Sequence, residues 1–268
     1  MIELIQITND PAFARRCDQL DGMRIWVDLE RHGKAERQAG RNTFISSHEI
    51  ADVARIKSQL QRSRLMVRIN PLHAGTADEV QAVLAGGADL LMLPMFDNAT
   101  QLRKFCAIVA GRVPVIPLLE TGGALDSLGD WITTPGLGEV YLGLNDLHLS
   151  LRHSFMFEAL ALGMVDRVAA AARGQGLPFG FGGIARLDEG MLPGRDVLAE
   201  HLRLGSRSVI LSRTFHRAGT DVEFEAEVAS LRQAEQVLAS RDAAQIEADR
   251  LRIADTIRRI GAAGRGKP

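Results

Sequence analysis

The stretch Leu65-Met66-Val67-Arg68-Ile69-Asn70-Pro71-Leu72-His73-Ala74-Gly75-Thr76-Ala77-Asp78-Glu79-Val80-Gln81-Ala82-Val83-Leu84-Ala85-Gly86-Gly87-Ala88-Asp89-Leu90-Leu91-Met92-Leu93 decides the fold. Leu65 to Ile69 and Leu90 to Leu93 are short aliphatic runs, the pattern of strands buried on both faces in a parallel sheet. Between them Thr76 caps a segment whose Val80, Val83 and Leu84 recur at helical spacing, and Gly86-Gly87 ends it before the chain turns into the next strand. The unit reads as strand, helix, strand.

The same unit recurs on both sides. Further strands are expected over Ile2 to Ile7, Arg24 to Leu29, Val115 to Leu119, Val140 to Leu142, Pro178 to Phe181 and Ser208 to Leu211, which makes eight in all. Helices are expected over Pro11 to Leu20, Ser47 to Gln61, Thr76 to Ala85, Ala99 to Ala110, Leu125 to Trp131, Phe155 to Arg173 and Gly194 to Leu204, with Ser47 as a cap. Eight such alternations predict an α/β protein of the (β/α)8 TIM barrel class, with a doubly wound open sheet as the alternative. Beyond Leu211 the character changes, and from Val222 to Ile260 the sequence reads as helical without any strand signal. Phe224, Val228, Leu231 and Leu238 form one apolar stripe and Ile246, Ile253, Ile257 and Ile260 another, with a break at Ala239 to Asp242. The expected organisation is a barrel over 1–220, a C-terminal helical extension over 221–260 and a disordered tail over 261–268. One helix closes a barrel, so the second stripe is expected to pack on a neighbouring subunit, in a homo-oligomer; folding back on its own barrel is the alternative.

Composition excludes several classes. The 268 residues are 46% hydrophobic and 24% charged, with a net charge of -1, which disfavours disorder and a nucleic-acid coat. Cys17 and Cys106 are too few for a disulfide scaffold and have no metal-ligand neighbours, which points to a reducing cytoplasm. No apolar run reaches the roughly eighteen residues of a membrane span, and the N-terminus lacks the order of a signal peptide. Lysine is scarce, occurring only as Lys34, Lys57, Lys104 and Lys267. None ends a strand, so a Schiff-base nucleophile is lacking and a carbanion would have to be stabilised by a metal.

Barrel active sites lie at the C-terminal ends of strands. There the sequence places Asp28-Leu29-Glu30, Arg68-Ile69-Asn70, Glu120-Thr121, Asn145-Asp146 and Gly182-Gly183. Carboxylates facing one another repel unless a cation compensates, which implies a hard divalent ion, Mg2+ or Mn2+ first and Co2+ also compatible. HxH, HExxH and CxxC spacings are all absent, which weakens the case for zinc.

In order along the chain, Val67 to Pro71, Gly87 to Met95, Pro117-Leu118-Leu119-Glu120-Thr121 and Gly143-Leu144-Asn145-Asp146-Leu147 resemble the HpcH/HpaI aldolase and citrate lyase family, within the phosphoenolpyruvate/pyruvate-type barrels. The resemblance runs from about Trp26 to Leu211. It implies that Glu120 and Asp146 are the metal ligands and that Arg68 binds the carboxylate of a pyruvate-like keto acid, with Gly122, Gly123 and Asn145 as further substrate contacts. The implied reaction is the making or breaking of a carbon-carbon bond through a pyruvate-type enolate, with an aldehyde as partner. An acyl-CoA lyase or thioesterase of the malyl, citramalyl or citryl type is the alternative, and a non-catalytic keto-acid-binding barrel is the second.

The departures from the family pattern concern the base. The aldolase branch places a histidine three residues after the aspartate of strand two, whereas here Leu29-Glu30-Arg31 intervene and His32 comes one residue late. The acyl-CoA branch favours a DLED-like ending, which Asp28-Leu29-Glu30-Arg31 matches at three of its four positions. Asp28, Glu30 and His32 thus stand as alternative bases. Arg31 to Arg41 is long and charged for a βα loop and reads as a lid for an anionic substrate or as a solvated loop. Arg152, His148, His153 and His73 follow strand ends, whereas His201 lies on a helix as packing or surface.

Overall fold

The computed structural model describes residues 1–33, 47–212, 215 and 223–265. Its strands are β1 (Glu3–Ile7), β2 (Met23–Asp28), β3 (Arg64–Arg68), β4 (Leu90–Leu93), β5 (Val115–Leu119), β6 (Val140–Leu142), β7 (Phe179–Ile184) and β8 (Ser208–Leu211). They follow one another in sequence order as a closed, parallel barrel, which settles the choice against an open sheet. Strands β2, β4, β5 and β6 are buried at every position, as strands covered by helices on one face and packed on the other must be. Most of the expected lid lies outside the described residues, as do Lys34, Lys267 and residues 266–268 of the expected tail.

The chain forms two compact units, one of residues 4–141 and one of residues 1–3 with 142–268. The first holds helices α1 (Pro11–Asp18), α2 (Ile50–Lys57), α3 (Thr76–Ala85), α4 (Ala99–Val109), α5 (Gly122–Asp126) and α6 (Leu128–Trp131). Local chemistry sets their ends. Asp10 accepts the Ala12 and Phe13 N–H groups with Pro11 at the first helical position, and Asn98 accepts Gln101 N–H. The expected cap Ser47 is corrected, because Glu49 and Asp52 form a reciprocal capping box that starts α2 at Ile50. Lys57 is tied to Asp89 at 2.6 Å, in keeping with its place on a barrel-coating helix. At the start of β2 the buried Arg24 meets the buried Glu139 at 2.7 Å, an ion pair out of reach of water.

The second unit holds α7 (Leu144–Ser150), α8 (Glu158–Ala161), α9 (Met164–Gly174), α10 (Gly194–Leu204), α11 (Phe224–Ala239) and α12 (Ala243–Arg265). Gly182 and Gly183 do not terminate the seventh strand; they lie inside β7, which carries a register shift between Gly180 and Gly183. Gly182 has φ +56°, and a Cβ there would sit 3.0 Å from Leu144 Cδ1, so glycine permits both the backbone turn and the close approach. The C-terminal expectations also change. Helix α12 packs on α8 and α10 of its own chain, burying Ile253, Ala254 and Ile257. It runs on to Arg265 because Gly261 lets it approach Glu158, where a Cβ would meet Oε1 at 2.7 Å, and because Arg265 reaches Glu158 at 3.3 Å. Arg252 adds a two-pronged pair with Asp196 at 2.7 and 3.0 Å. Among the described residues no helix is long and apolar enough to cross a membrane.

His201, on α10, is fully buried, stacked on Phe181 at 3.8 Å, with Nδ1 paired to Ser206 Oγ at 2.8 Å and Nε2 without a partner. Burial pushes its pKa down to about 3. The unfolded chain therefore takes up a proton near pH 6.5 that the folded chain refuses, and stability is lost as the pH falls through that range. Between pH 6.5 and 5 the wild type should lose about 1.6 kcal/mol more unfolding free energy than His201→Phe, the slope steepening toward about 1.4 kcal/mol per pH unit, read by urea denaturation. Glu139→Ala should cost about 3–5 kcal/mol in the same measurement at pH 7, because it leaves the Arg24 charge buried alone.

Candidate active site

Side chains alternate along a strand, so Arg24, Trp26 and Asp28 share one face of β2. Register pairs Trp26 with Met66 and Asp28 with Arg68, which brings the last residues of β2 and β3 side by side. Arg68 Nε and Nη2 donate to the two Asp28 carboxylate oxygens at 2.8 Å each, and Nη1 lies 3.1 Å from Glu30 Oε2. The guanidinium carbon stands 4.8 Å from the centroid of the Trp26 ring. Burial by itself would lower the Arg68 pKa, but Asp28, Glu30 and, less strongly, Glu120 hold it above the ordinary arginine value. The group is charged at every pH the fold survives.

The carboxylates are held in turn. Asp28 donates its backbone N–H to His48 Nδ1 at 3.0 Å, and its Oδ1 accepts the Glu30 N–H at 3.2 Å. Glu120, 2% exposed just past β5, accepts the Met95 N–H at 3.0 Å. Met95 has φ +54°, an unfavourable conformation for a residue with a side chain, and it turns its N–H onto that carboxylate. Two buried carboxylates thus contact a single buried guanidinium, and a third, Glu120, acts on its charge. The surplus of negative oxygen donors fits a hard divalent cation. Among the described residues no group of three His, Cys, Asp or Glu gathers as a metal cage, so such an ion would rest on few protein ligands, as Mg2+ characteristically does.

His32 stands in a neighbouring set of contacts. Asn70 Oδ1 accepts the Arg31 and His32 N–H groups at 2.8 and 3.0 Å, and Asn70 Nδ2 donates to Glu79 Oε1 at 2.8 Å. Glu79 Oε2 lies 2.9 Å from His73 Nε2, while His73 Nδ1 accepts the Gly75 N–H at 3.1 Å, an arrangement that puts the ring proton on Nε2. The His32 ring packs edge-on against His73 with centroids 4.7 Å apart. Asn70 and His73 thus fix the backbone and ring of His32, one residue beyond the family spacing.

Gly122 and Gly123 open α5, capped by Thr121, whose hydroxyl accepts the Ala124 N–H at 3.1 Å and donates to Phe96 O at 2.8 Å. A Cβ at Gly123 would lie 2.7 Å from Asp97 O, so close backbone packing requires glycine there. In the second unit Asn145 and Asp146 do not end a strand; they are half-buried in the first turn of α7, which begins two residues after β6. His148 Nδ1 lies 3.3 Å from Leu144 O within the same helix, and Arg152, at φ +57°, is exposed. The structure thus brings Asp28, Glu30, Arg68 and Glu120 into one electrostatic cluster and places His32 beside it on His73. Sequence reading missed Trp26, His48, Met95 and the Asn70–Glu79 pair; only the two-residue step from Trp26 to Asp28 was available as a signal.

Comparison with known proteins places these features. A profile of the HpcH/HpaI aldolase/citrate lyase family matches residues 8–181. A citrate lyase from Burkholderia xenovorans LB400 is 19% identical, covering 100% of this chain and 94% of its own, with a TM-score of 0.61. The citrate lyase beta subunit from M. tuberculosis, solved with oxaloacetate and magnesium, is 19% identical over 88% of this chain and 97% of its own, with a TM-score of 0.60. An HpcH/HpaI aldolase from Desulfitobacterium hafniense DCB-2 is 14% identical over 90% and 94%, with a TM-score of 0.59. At these identities the structures share the fold; no match was found among curated proteins. With about two thirds of its length matched by the family profile, the chain belongs to the HpcH/HpaI aldolase/citrate lyase family, whose members are lyases acting on carbon-carbon bonds.

Proposed function

We propose that the protein is a divalent-metal-dependent lyase that makes or breaks a carbon-carbon bond through a pyruvate-type enolate, with a 2-keto acid as one substrate and an aldehyde as its partner. The observation that carries this reading is the buried Arg68, locked between Asp28 and Glu30 with Glu120 close enough to bias its charge. The guanidinium has five N–H donors, and three of them serve these carboxylates. One donor remains on each Nη for a keto-acid carboxylate. Glu120 and Asp146 would hold the ion, Mg2+ or Mn2+, which when bound supplies Lewis-acid polarisation of the keto group. The M. tuberculosis relative, solved with oxaloacetate and magnesium, is consistent with this choice of ligand and ion.

In this reading Arg68 binds and orients the carboxylate and offsets the charge that develops beside it. Asp28 and Glu30 orient Arg68. The candidate for moving the substrate proton is His32, which lies outside the Arg68 cluster and is steadied by Asn70 and His73. Asn145 and the Gly122-Gly123 turn are further substrate contacts in this proposal. A second reading, a lyase acting on an acyl-CoA thioester, is favoured by one observation: Glu30 engages Arg68 alongside Asp28, so the Asp28-Leu29-Glu30 ending acts as a pair.

Pyruvate incubated with the protein in deuterated water should exchange its methyl protons only when Mg2+ or Mn2+ is present. Glu120→Gln and Asp146→Asn should each lower that rate by roughly a hundredfold or more, as expected for loss of a transition-state interaction of about 3 kcal/mol. Exchange that persists in chelator, or wild-type protein that binds no divalent ion by calorimetry, would falsify the proposal. Free hydroxy-keto acids are expected to be cleaved and malyl- or citramalyl-CoA is not; turnover of the thioesters alone reverses the two readings.

A further inference from the structure

A guanidinium bonded to carboxylates can still shift together with them, and packing beside it narrows its position further. Arg68 is held along one edge by Asp28 and at Nη1 by Glu30, and its guanidinium carbon stands over the Trp26 ring, 4.8 Å from the centroid. Trp26 is 3% exposed, and its indole N–H is buried without a hydrogen-bond partner. A buried N–H left unpaired is costly, and phenylalanine at this position would avoid the cost while still filling much of the space. What tryptophan offers over phenylalanine here is the stronger attraction of its ring for a cation.

We infer that Trp26 is a positioning residue that keeps the Arg68 guanidinium where it can grip the substrate carboxylate, and so sets the affinity of the site for the keto acid. The inference rests on the reading of Arg68 as the keto-acid ligand. Two properties follow from the geometry. Removing the ring should loosen substrate binding more than it slows turnover of bound substrate, because Trp26 acts through Arg68. Its fluorescence should also respond when an anion occupies the guanidinium beside it.

The chain has two tryptophans, and Trp131 gives its indole N–H to Ala124 O at 2.7 Å, so a Trp131→Phe background leaves Trp26 as the sole reporter. Pyruvate with Mg2+ should change Trp26 emission saturably in that background. By calorimetry the Kd for pyruvate should rise roughly threefold in Trp26→Phe and roughly tenfold or more in Trp26→Leu, the order expected of a graded cation–ring attraction. KM for the exchange reaction should rise in step while kcat moves less, and the melting temperature of Trp26→Phe should stay close to wild type. A folded Trp26→Leu that binds pyruvate as tightly as wild type overturns the inference and leaves the proposed function standing. Should the leucine variant fail to fold, wild-type affinity in Trp26→Phe overturns it instead. Absence of pyruvate binding in the wild type overturns the proposed function, and this inference with it.

Discussion

A guanidinium in the interior of a barrel has to be matched by carboxylates in contact with it, because an unpaired buried charge is too costly to keep. Arg68 imposes that constraint on everything around it. Asp28 must end β2 in register with it, Glu30 must fold back from the loop, and Trp26 must lie two residues earlier on the same face. His48 then steadies the Asp28 backbone from the far side of the loop. The cluster remains rich in carboxylate once Glu120 is added, and that surplus is what makes a cation site chemically reasonable there.

Around this cluster, precision comes from backbone groups more than from side chains. Met95 adopts a left-handed conformation that turns its N–H onto Glu120, a local strain on the order of 1–3 kcal/mol that the packed surroundings must sustain. Asn70 takes two consecutive loop N–H groups on a single oxygen and passes the restraint through Glu79 to His73. His32, displaced by one residue from the family spacing, is held in this way, and Arg31 ties the network to His48 through its own donation to His48 O at 2.8 Å.

In the second unit the glycines tell a different story. Gly182 and Gly183 read as a strand end because glycine pairs usually punctuate elements, yet they sit inside β7, where a register shift and a contact with Leu144 require the absence of a side chain. Helix α7 follows β6 so closely that Asn145 and Asp146 look like strand-end residues in a linear reading, although they occupy a first helical turn. Gly261 looks like a helix stop and is a packing notch against Glu158.

The number and order of the strands were legible in the sequence, since burial on both faces forces continuous apolar runs and helices announce themselves by a different period. The places of Asp28, Arg68 and Glu120 at the ends of β2, β3 and β5 were legible too, because each directly closes a continuous apolar run. Only the tertiary structure decided that Asp28 and Glu30 both serve Arg68, that the Arg68 guanidinium stands over the Trp26 ring, and that the last helix packs on two helices of its own chain. Those facts depend on strand register and on contacts between residues far apart in sequence, and periodicity along a chain carries no information about which neighbour a side chain will meet across it.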